Sequence, residues 1–412
     1  MTAVAGLRAS SDVGTDERPK SFREMILFRN PKGSAPIFAL TSRAKKKSVT
    51  DPEFAWWDEP NVNIRLQVNM AGGAASGITT LVVDSADPSA SSPDLNWGLA
   101  THLKPGDLLQ VEKTEATTMD NEMIEVVQVL STTTFIVRRG VAGSTAATIA
   151  DDSFLTLMGS AYAEGTDAPM ATSRNPIKYN NYTQIFKDTY ELSKTADKTT
   201  YRTGDLWSND KKRKTFDHSR SIEWAILYGR KFETTGDNGK PKRYMGGLRT
   251  FIPSSRTTIF GAAVTVSTFL DAIYQVFDYD TGAGDERIAF CGNLALNSLN
   301  KVIQADANTD IQYDGVFEVY GMNFRRFVTP QGTIYLKTHP LLNVHSKYSR
   351  SMFILDFDSI RYVHLKDRDT KIKDDVQTES EDVRRGFLQT ECSLMVDRGG
   401  LTCAYLGNIT NA

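Results

Sequence analysis

An α+β protein is what this sequence predicts, and three stretches predict it. Short β-branched runs separated by turn formers fill residues 78–160, one long run with helical spacing follows at 208–234, and strand-like segments dominate after 315. The opening residues, 1 to about 52, have neither period: "NPKGSAP" is turn chemistry and "TSRAKKKSVTDPE" has no repeating apolar face. This is an arm, 1–52, with scattered anchors at Phe22, Ile26, Leu27, Phe28, Ile37 and Phe38 that are expected to bury themselves on something else.

"FAWWDE" puts Phe54, Trp56 and Trp57 within four positions, a density that suits a core or an interface. Beyond "NMAGGAASG", the segments "ITTLVVDSA", "DLLQVEKT", "MIEVVQVLS", "TTFIVRRG" and "SFLTLMG" alternate as strands of a small all-β unit. Hinges rich in Gly, Ala and Ser bracket it, so it reads as an insertion (about 78–160) on a long loop, 53–175. Its "RRGVAGSTAA" lacks the GK[ST] ending of a phosphate cradle and reads as a turn.

The stretch "KKRKTFDHSRSIEWAILYGRKFE" then supplies a helix of about 25 residues, roughly 37 Å at 1.5 Å each. Ser208, Asn209 or Asp210 is its expected N-cap and Gly236 lies just past its expected end. Ile222, Ala225, Ile226, Gly229 and Phe232 form the stripe, widened by Trp224, Leu227 and Tyr228, while Asp217, Arg220, Ser221, Glu223 and Arg230 fall on the polar side. The basic front, Lys211–Lys214, lies where the helix dipole disfavours cations, so it must be solvated or meet acids. This helix belongs to a unit over 176–259.

A mixed unit follows over 260–350. "STFLDAIYQVFDYD" is expected to be capped by Thr268 and Asp271 and to bury Leu270, Ile273, Tyr274 and Phe277. "IAFCGN" reads as a buried strand, and "NLALNSLNKVIQAD" as a helix burying Leu296, Leu299 and Val302 or Ile303. Strands at "GVFEVYGMNFRRFVTPQGTIYLKTHP", "MFILDFDSIRYVHL" and "GFLQTECSLMVDRGGLTCAYLGNI" close the chain, the last two within 351–412.

The bulk properties exclude several classes. Of 412 residues, 40% are hydrophobic and 24% charged, and 48 basic against 50 acidic residues leave a formal charge of −2, with no global field to draw the chain onto nucleic acid or an anionic membrane. Cys291, Cys392 and Cys403 are odd in number and widely spaced, which suits a reducing compartment. The N-terminus lacks the apolar run of a secretory signal, of about 7–15 residues, and nowhere do about 18 apolar residues follow one another.

No reaction centre emerges either. The histidines at 102, 218, 339, 345 and 364 form no HExxH, HxH or Cys/His zinc spacing. Asp356, Asp358 and His364 could meet around a metal only on an unbroken strand, and a solvated sheet edge is the reading preferred. "TGAGDER" lacks a full GxGxxG, and "KIKDDVQTESEDVRR" lacks the order of a calcium loop. The expectation is a non-enzyme without cofactor or metal.

Several stretches resemble the major capsid proteins of tailed bacteriophages: "NNYTQIFKDTYELSKTA", "IEWAILYGRK", "YMGGLRTFI", "GFLQTECSLMVDRGGLTCAYLGNI" and, inside the insertion, "VVQVLSTTTFIVRRGVAGSTAATI". The likeness covers roughly 53–410. It implies the Hong-Kong-97-type α+β fold: an N-terminal arm, an extended loop carrying the β insertion, a long spine helix on a peripheral domain, and an axial domain. It implies a structural role in a virion, assembled in the host cytoplasm as hexamers and pentamers around double-stranded DNA. Scaffold and portal proteins, and decoration proteins where the shell carries them, would be partners, with no sequence-specific DNA binding and no membrane. Phe54, Trp56, Trp57, Arg138 and Arg139 are the residues read as inter-subunit contacts. A tail or host-attachment protein, meeting a receptor through the insertion, is the alternative.

Overall fold

In the computed structural model the described residues are 37, 46–59, 65–84, 99–114, 118–169, 176–201, 204–282, 284–305, 313–319 and 322–410. Strands of five sheets and one long helix organise them into a two-sheet body, two short ribbons and a separate β unit.

The body is built on the helix Leu206–Tyr228. Ile222, Ile226 and Leu227 are fully buried and share one core with Phe186, Tyr362 and Leu394 of one sheet and Phe290, Phe353 and Leu355 of another. The first sheet orders Lys46–Val49, Ile360–Leu365, Val383–Val396 and Gln184–Ser193, with Lys371–Lys373 also paired to Val383–Val396. The second, of seven strands, runs Thr257–Ile259, Ala404–Gly407, Met352–Leu355, Glu286–Cys291, Gly332–Thr338, Met322–Thr329, Tyr313–Val319. Its central strands are buried on both faces, which is why "IAFC" and "MFIL" are continuous apolar runs instead of alternating ones. Phe290 and Phe353 point to the long helix, whereas Ala289, Cys291, Met352 and Ile354 join a second core under Val266–Ile273 and Asn293–Ala305.

The helix ends sooner than its periodicity suggests. Gly229 terminates it, and Phe232–Thr235 turns back through Gly236–Gly239 to pair with Pro241–Tyr244. The cause is a close backbone approach: a Cβ on Gly229 would lie 2.6 Å from the Met245 carbonyl, and one on Gly247 would lie 2.4 Å from that of Ala225. Only glycine fits on both sides, so "YMGGL" docks against the helix end and Phe232 leaves the expected stripe. The N-cap is Asp205, not Ser208, Asn209 or Asp210, its carboxylate accepting from the backbone N–H groups of Trp207 (3.3 Å) and Ser208 (3.1 Å). The earlier start is fixed by Trp207, buried against Tyr190 and Leu388. In the basic front Lys211 meets Asp374 at 2.5 Å and Lys212 is solvated, as the dipole argument requires.

Glu223 is a correction. It sits on the buried side, where its carboxylate accepts from His339 Nε2–H (2.7 Å) and from the Ile37 N–H (2.8 Å). Because His339 Nδ1 accepts from the Leu341 N–H, the ring is the neutral tautomer that donates through Nε2. The same bond corrects part of the arm reading: Ile37 is buried in this chain's own core, and Lys46–Val49 pairs parallel to Ile360–Leu365. Phe22, Ile26, Leu27, Phe28 and Phe38 lie outside the described residues.

Smaller shifts share one cause, a helix phase set by its cap. The capping box of Val266–Ile273 is Thr265 with Thr268, and Phe269, Ile273 and Val276 are buried while Tyr274 is 45% exposed. Leu270 and Phe277 pack at the margin of that core, as does Leu296, and Leu299 is buried as expected. The separate unit is a six-stranded antiparallel sheet with its own core. Four of its strands, Asp107–Thr114, Thr118–Val129, Thr134–Val141 and Phe154–Ser160, fall where alternation places them, but the sheet begins earlier than 78, at Arg65–Gln67, with Leu66 and Val68 buried.

Replacing Ile226 by Ala should destabilise the chain by about 2–5 kcal/mol in a denaturant titration, since it opens a cavity at the junction of both sheets. Replacing Lys211, Lys212, Arg213 and Lys214 together by Gln should move the same midpoint by no more than about 1 kcal/mol, the scale of exposed ion pairs.

Candidate inter-subunit surfaces

The five residues singled out from sequence lie in two places. Three belong to a two-stranded ribbon in which Glu53–Asp58 pairs antiparallel with Ile177–Tyr182. Strand alternation divides them: Phe54 and Trp56 turn inward against Val363 and Met395, with Tyr179 and Phe251 alongside, and Trp57 turns outward. Phe54 and Trp56 thus follow the core reading of the aromatic cluster. Trp57 is 62% exposed, and Lys178 Nζ lies 5.9 Å from its ring centroid.

The ribbon is tied to the body by the "DRGG" turn. Asp58 accepts the Gly399 N–H at 2.8 Å, and burial pushes the Asp58 carboxyl above its ordinary value despite that bond. Gly399 has φ +56°, and a Cβ there would come within 2.9 Å of the Tyr179 hydroxyl, so the turn requires glycine twice over.

Arg138 and Arg139 are neighbours on Thr134–Val141 and face opposite ways. Arg138 is exposed and reaches across to Glu125, its register partner, at 2.9 Å. Arg139 is buried inside the β unit. Its guanidinium donates to both oxygens of Glu122 (2.6 and 2.8 Å) and to the carbonyls of Ala75 and Ile78 at 3.2 Å each. A further contact reaches the Ala147 carbonyl, while the Ala147 N–H donates to Glu122 at 2.9 Å. One ion pair therefore staples two strands and two loops, and every nitrogen of its fork meets the unit's own carboxylate or backbone carbonyls. Burial raises the Glu122 carboxyl, but the Arg139 and Ala147 hydrogen bonds outweigh it and hold the group below its ordinary 4.5.

The candidate chemistry elsewhere is dispersed. Asp356 is buried and accepts from the Asp358 N–H (2.9 Å) and the Ser359 hydroxyl (2.5 Å), so the solvated-edge reading fails for it. Asp358 accepts the Gly282 N–H, and His364 Nδ1 lies 3.2 Å from the Leu365 carbonyl. Among the described residues no group of three or more His, Cys, Asp or Glu side chains is placed to hold a metal. The three cysteines are buried thiols, each pushed up to about 12 by that burial, which keeps them protonated and unreactive. Among the described residues no helix is long and apolar enough to cross a membrane.

What remains is a protein whose distinctive parts are surfaces. The chain belongs to the SU10 major capsid protein family, whose sequence profile matches residues 7–410. The major capsid protein of Pseudomonas phage PaMx41 is 25% identical over 381 residues, covering 90% of this chain and 85% of that protein. Among solved structures, a chain from Microbacterium phage Oxtober96 matches at 10% identity, covering 98% of this chain and 99% of that one, with a TM-score of 0.44. The capsid of Cyanophage P-SCSP1u matches at 10% identity over 99% of this chain and 100% of that one, also with a TM-score of 0.44. The α+β class expected from sequence holds. The family, one of major capsid proteins, agrees with the resemblance read from the quoted motifs.

Replacing Glu122 by Gln should cost the β unit about 3–5 kcal/mol, because Arg139 keeps its charge in a buried place without a counterion. Proteolysis followed by mass spectrometry should show new cleavage between 65 and 160. The pH dependence has a definite sign: a depressed Glu122 contributes stability above about 4.5 that is lost as pH falls through its folded value. The wild-type unit should therefore lose stability in acid more steeply than the Glu122→Gln variant, read by thermal melting between pH 6 and about 3.

Proposed function

We propose that this chain assembles through copies of itself into pentamers and hexamers that close into an icosahedral shell around phage genomic DNA. The observation that carries the reading is the family match over nearly the whole chain, and the geometry supports it. In this reading the parts are an arm (1–52), an extended loop (53–175) made of the ribbon and the β unit, a peripheral unit (176–259) holding the long helix, an axial unit (260–350), and closing strands (351–412). It is assembled in the host cytoplasm with scaffold and portal proteins, and with decoration proteins where the shell carries them. It is not an enzyme.

Shell interfaces of standard size bury about 1,200–2,000 Å² and use contacts that do not pair a patch with itself, so that rings form. Trp57 and Arg138 are the two of the five residues free to make such contacts. A tryptophan held outward by a strand whose other aromatics are locked in the core has little conformational freedom left to lose on docking, which is the property of an interface anchor.

Electron microscopy of the expressed protein, with its scaffold where needed, should show closed particles or capsomers. A monodisperse monomer under all conditions overturns the reading. Replacing Trp57 by Asp should leave the subunit's melting temperature within a few degrees, roughly the effect of a surface change, and abolish or strongly reduce particle formation.

A further inference from the structure

Part of one face of the first sheet, beyond the stretch at Val363 and Met395 that the ribbon covers, is left open among the described residues. Along Gln184–Ser193, Phe186, Asp188 and Tyr190 turn toward the long helix: Asp188 binds His218 at 2.7 Å and Tyr190 packs on Trp207 at 4.8 Å between ring centroids. Lys187, Thr189 and Glu191 therefore turn the other way, and all three are exposed. The register makes a row of that face. Lys187 lies opposite Gln389, and Gln389 lies opposite Lys371 on its other side. Next to them Thr189, Phe387 and Lys373 form a second row.

Three lysines thus border one hollow of about 320 Å³ that includes Lys187, Lys371, Lys373, Phe387 and Gln389. Two strand spacings put the Lys187 and Lys371 backbones about 10 Å apart, and two residues along a strand put Lys371 and Lys373 about 7 Å apart. The other ionic groups of the hollow are engaged. Arg368 binds Glu391 at 2.7 Å and Asp369 is held by Lys46, which leaves Asp367 as the acid at the rim. Lys187, Lys371 and Lys373 have no acidic partner among the described residues, and Lys373 has only the Phe387 ring, 6.0 Å away.

We propose that this face binds the phosphodiester backbone of double-stranded DNA without reading its sequence, an inference that rests on the shell function proposed above. Lysines are depleted at contacts between protein copies, where aromatic residues and arginine dominate, yet they are the usual point charges for phosphate. The row also carries Gln389 and Thr189, side chains that donate to phosphate oxygens, and its aromatic ring, Phe387, is half-buried with Lys373 near it. Three charges per subunit make a weak site. Repetition over many copies makes it an effective one, without the tight adhesion that a strongly basic subunit would bring.

The test uses the full chain and a mixed-sequence DNA duplex, with binding followed by fluorescence anisotropy over a salt series. Removing three phosphate contacts lowers the log–log salt slope by about 0.9 each, so from 50 to 200 mM salt the wild type should lose roughly 40-fold more affinity than the Lys187→Gln, Lys371→Gln, Lys373→Gln variant. Particle formation by that variant should be unchanged. A matched variant, Lys198→Gln, Lys212→Gln, Lys240→Gln, should keep the wild-type slope. The proposal is overturned if the two triple variants behave alike, or if the first binds DNA normally and instead stops assembling, which would make the face a contact between copies. Should the triple variant not fold, the single Lys→Gln changes carry the same test at about 0.9 of slope each. Absence of particles from the wild type would count against the shell and not against the binding face.

Discussion

Two sheets share one helix, and the rest of the body follows from that sharing. The apolar side of Leu206–Tyr228 is covered by Phe186 and Leu394 from one sheet and by Phe290 and Phe353 from the other, so neither sheet can shift without opening the core of its neighbour. Because the second sheet is also covered on its far side, its central strands have no polar face, and their backbone bonds lie wholly within the ladder. A subunit that takes lateral load from neighbours needs this arrangement: close-packed interiors transmit strain as displacement of whole elements instead of dissipating it in side-chain motion.

The helix end shows how a sequence pattern can be read correctly and still mislead. The stripe at Ile222, Ala225, Ile226 and Gly229 is real, but Gly229 occupies its place because a second backbone passes there, not because the helix continues. Periodicity reports faces, whereas termination depends on what the chain does sixteen or so residues later, at Met245–Gly247. Glu223 is the complementary case. Its polarity assigned it to the wet side, and only partners 116 and 186 residues away, His339 and Ile37, show why a carboxylate can be buried there. Local signals placed strands such as Asp107–Thr114 to the residue, since alternation is a property of the strand itself. Alternation also held the answer for Trp56 and Trp57, whose adjacency on a strand requires that they face opposite sides, and for the pair Arg138 and Arg139.

The β unit is self-contained in a way the ribbon is not. Among the described residues fifteen buried apolar side chains form its core, all from within Leu66–Leu155, and its strands pair with one another. Its buried ion pair, Arg139 with Glu122, is satisfied inside it, so that pair draws on nothing from the body. The ribbon instead depends on the body for its aromatic floor and on Gly399 for the bond to Asp58. An insertion with its own core can be carried or lost without disturbing the two sheets, while its outward charges, Arg138 among them, remain free to vary with whatever they meet.

Near-neutrality and a basic face are compatible because the two operate on different scales. A net charge of −2 governs the far field, which salt screens within about 10 Å, and so keeps free subunits from condensing on nucleic acid before they meet one another. Lysines on one side of Gln184–Ser193 and Lys371–Lys373 act only at contact distance, and assembly would multiply them by the number of copies. Weak sites multiplied by geometry bind reversibly at each point and firmly in sum, which a container requires if its contents are to leave again.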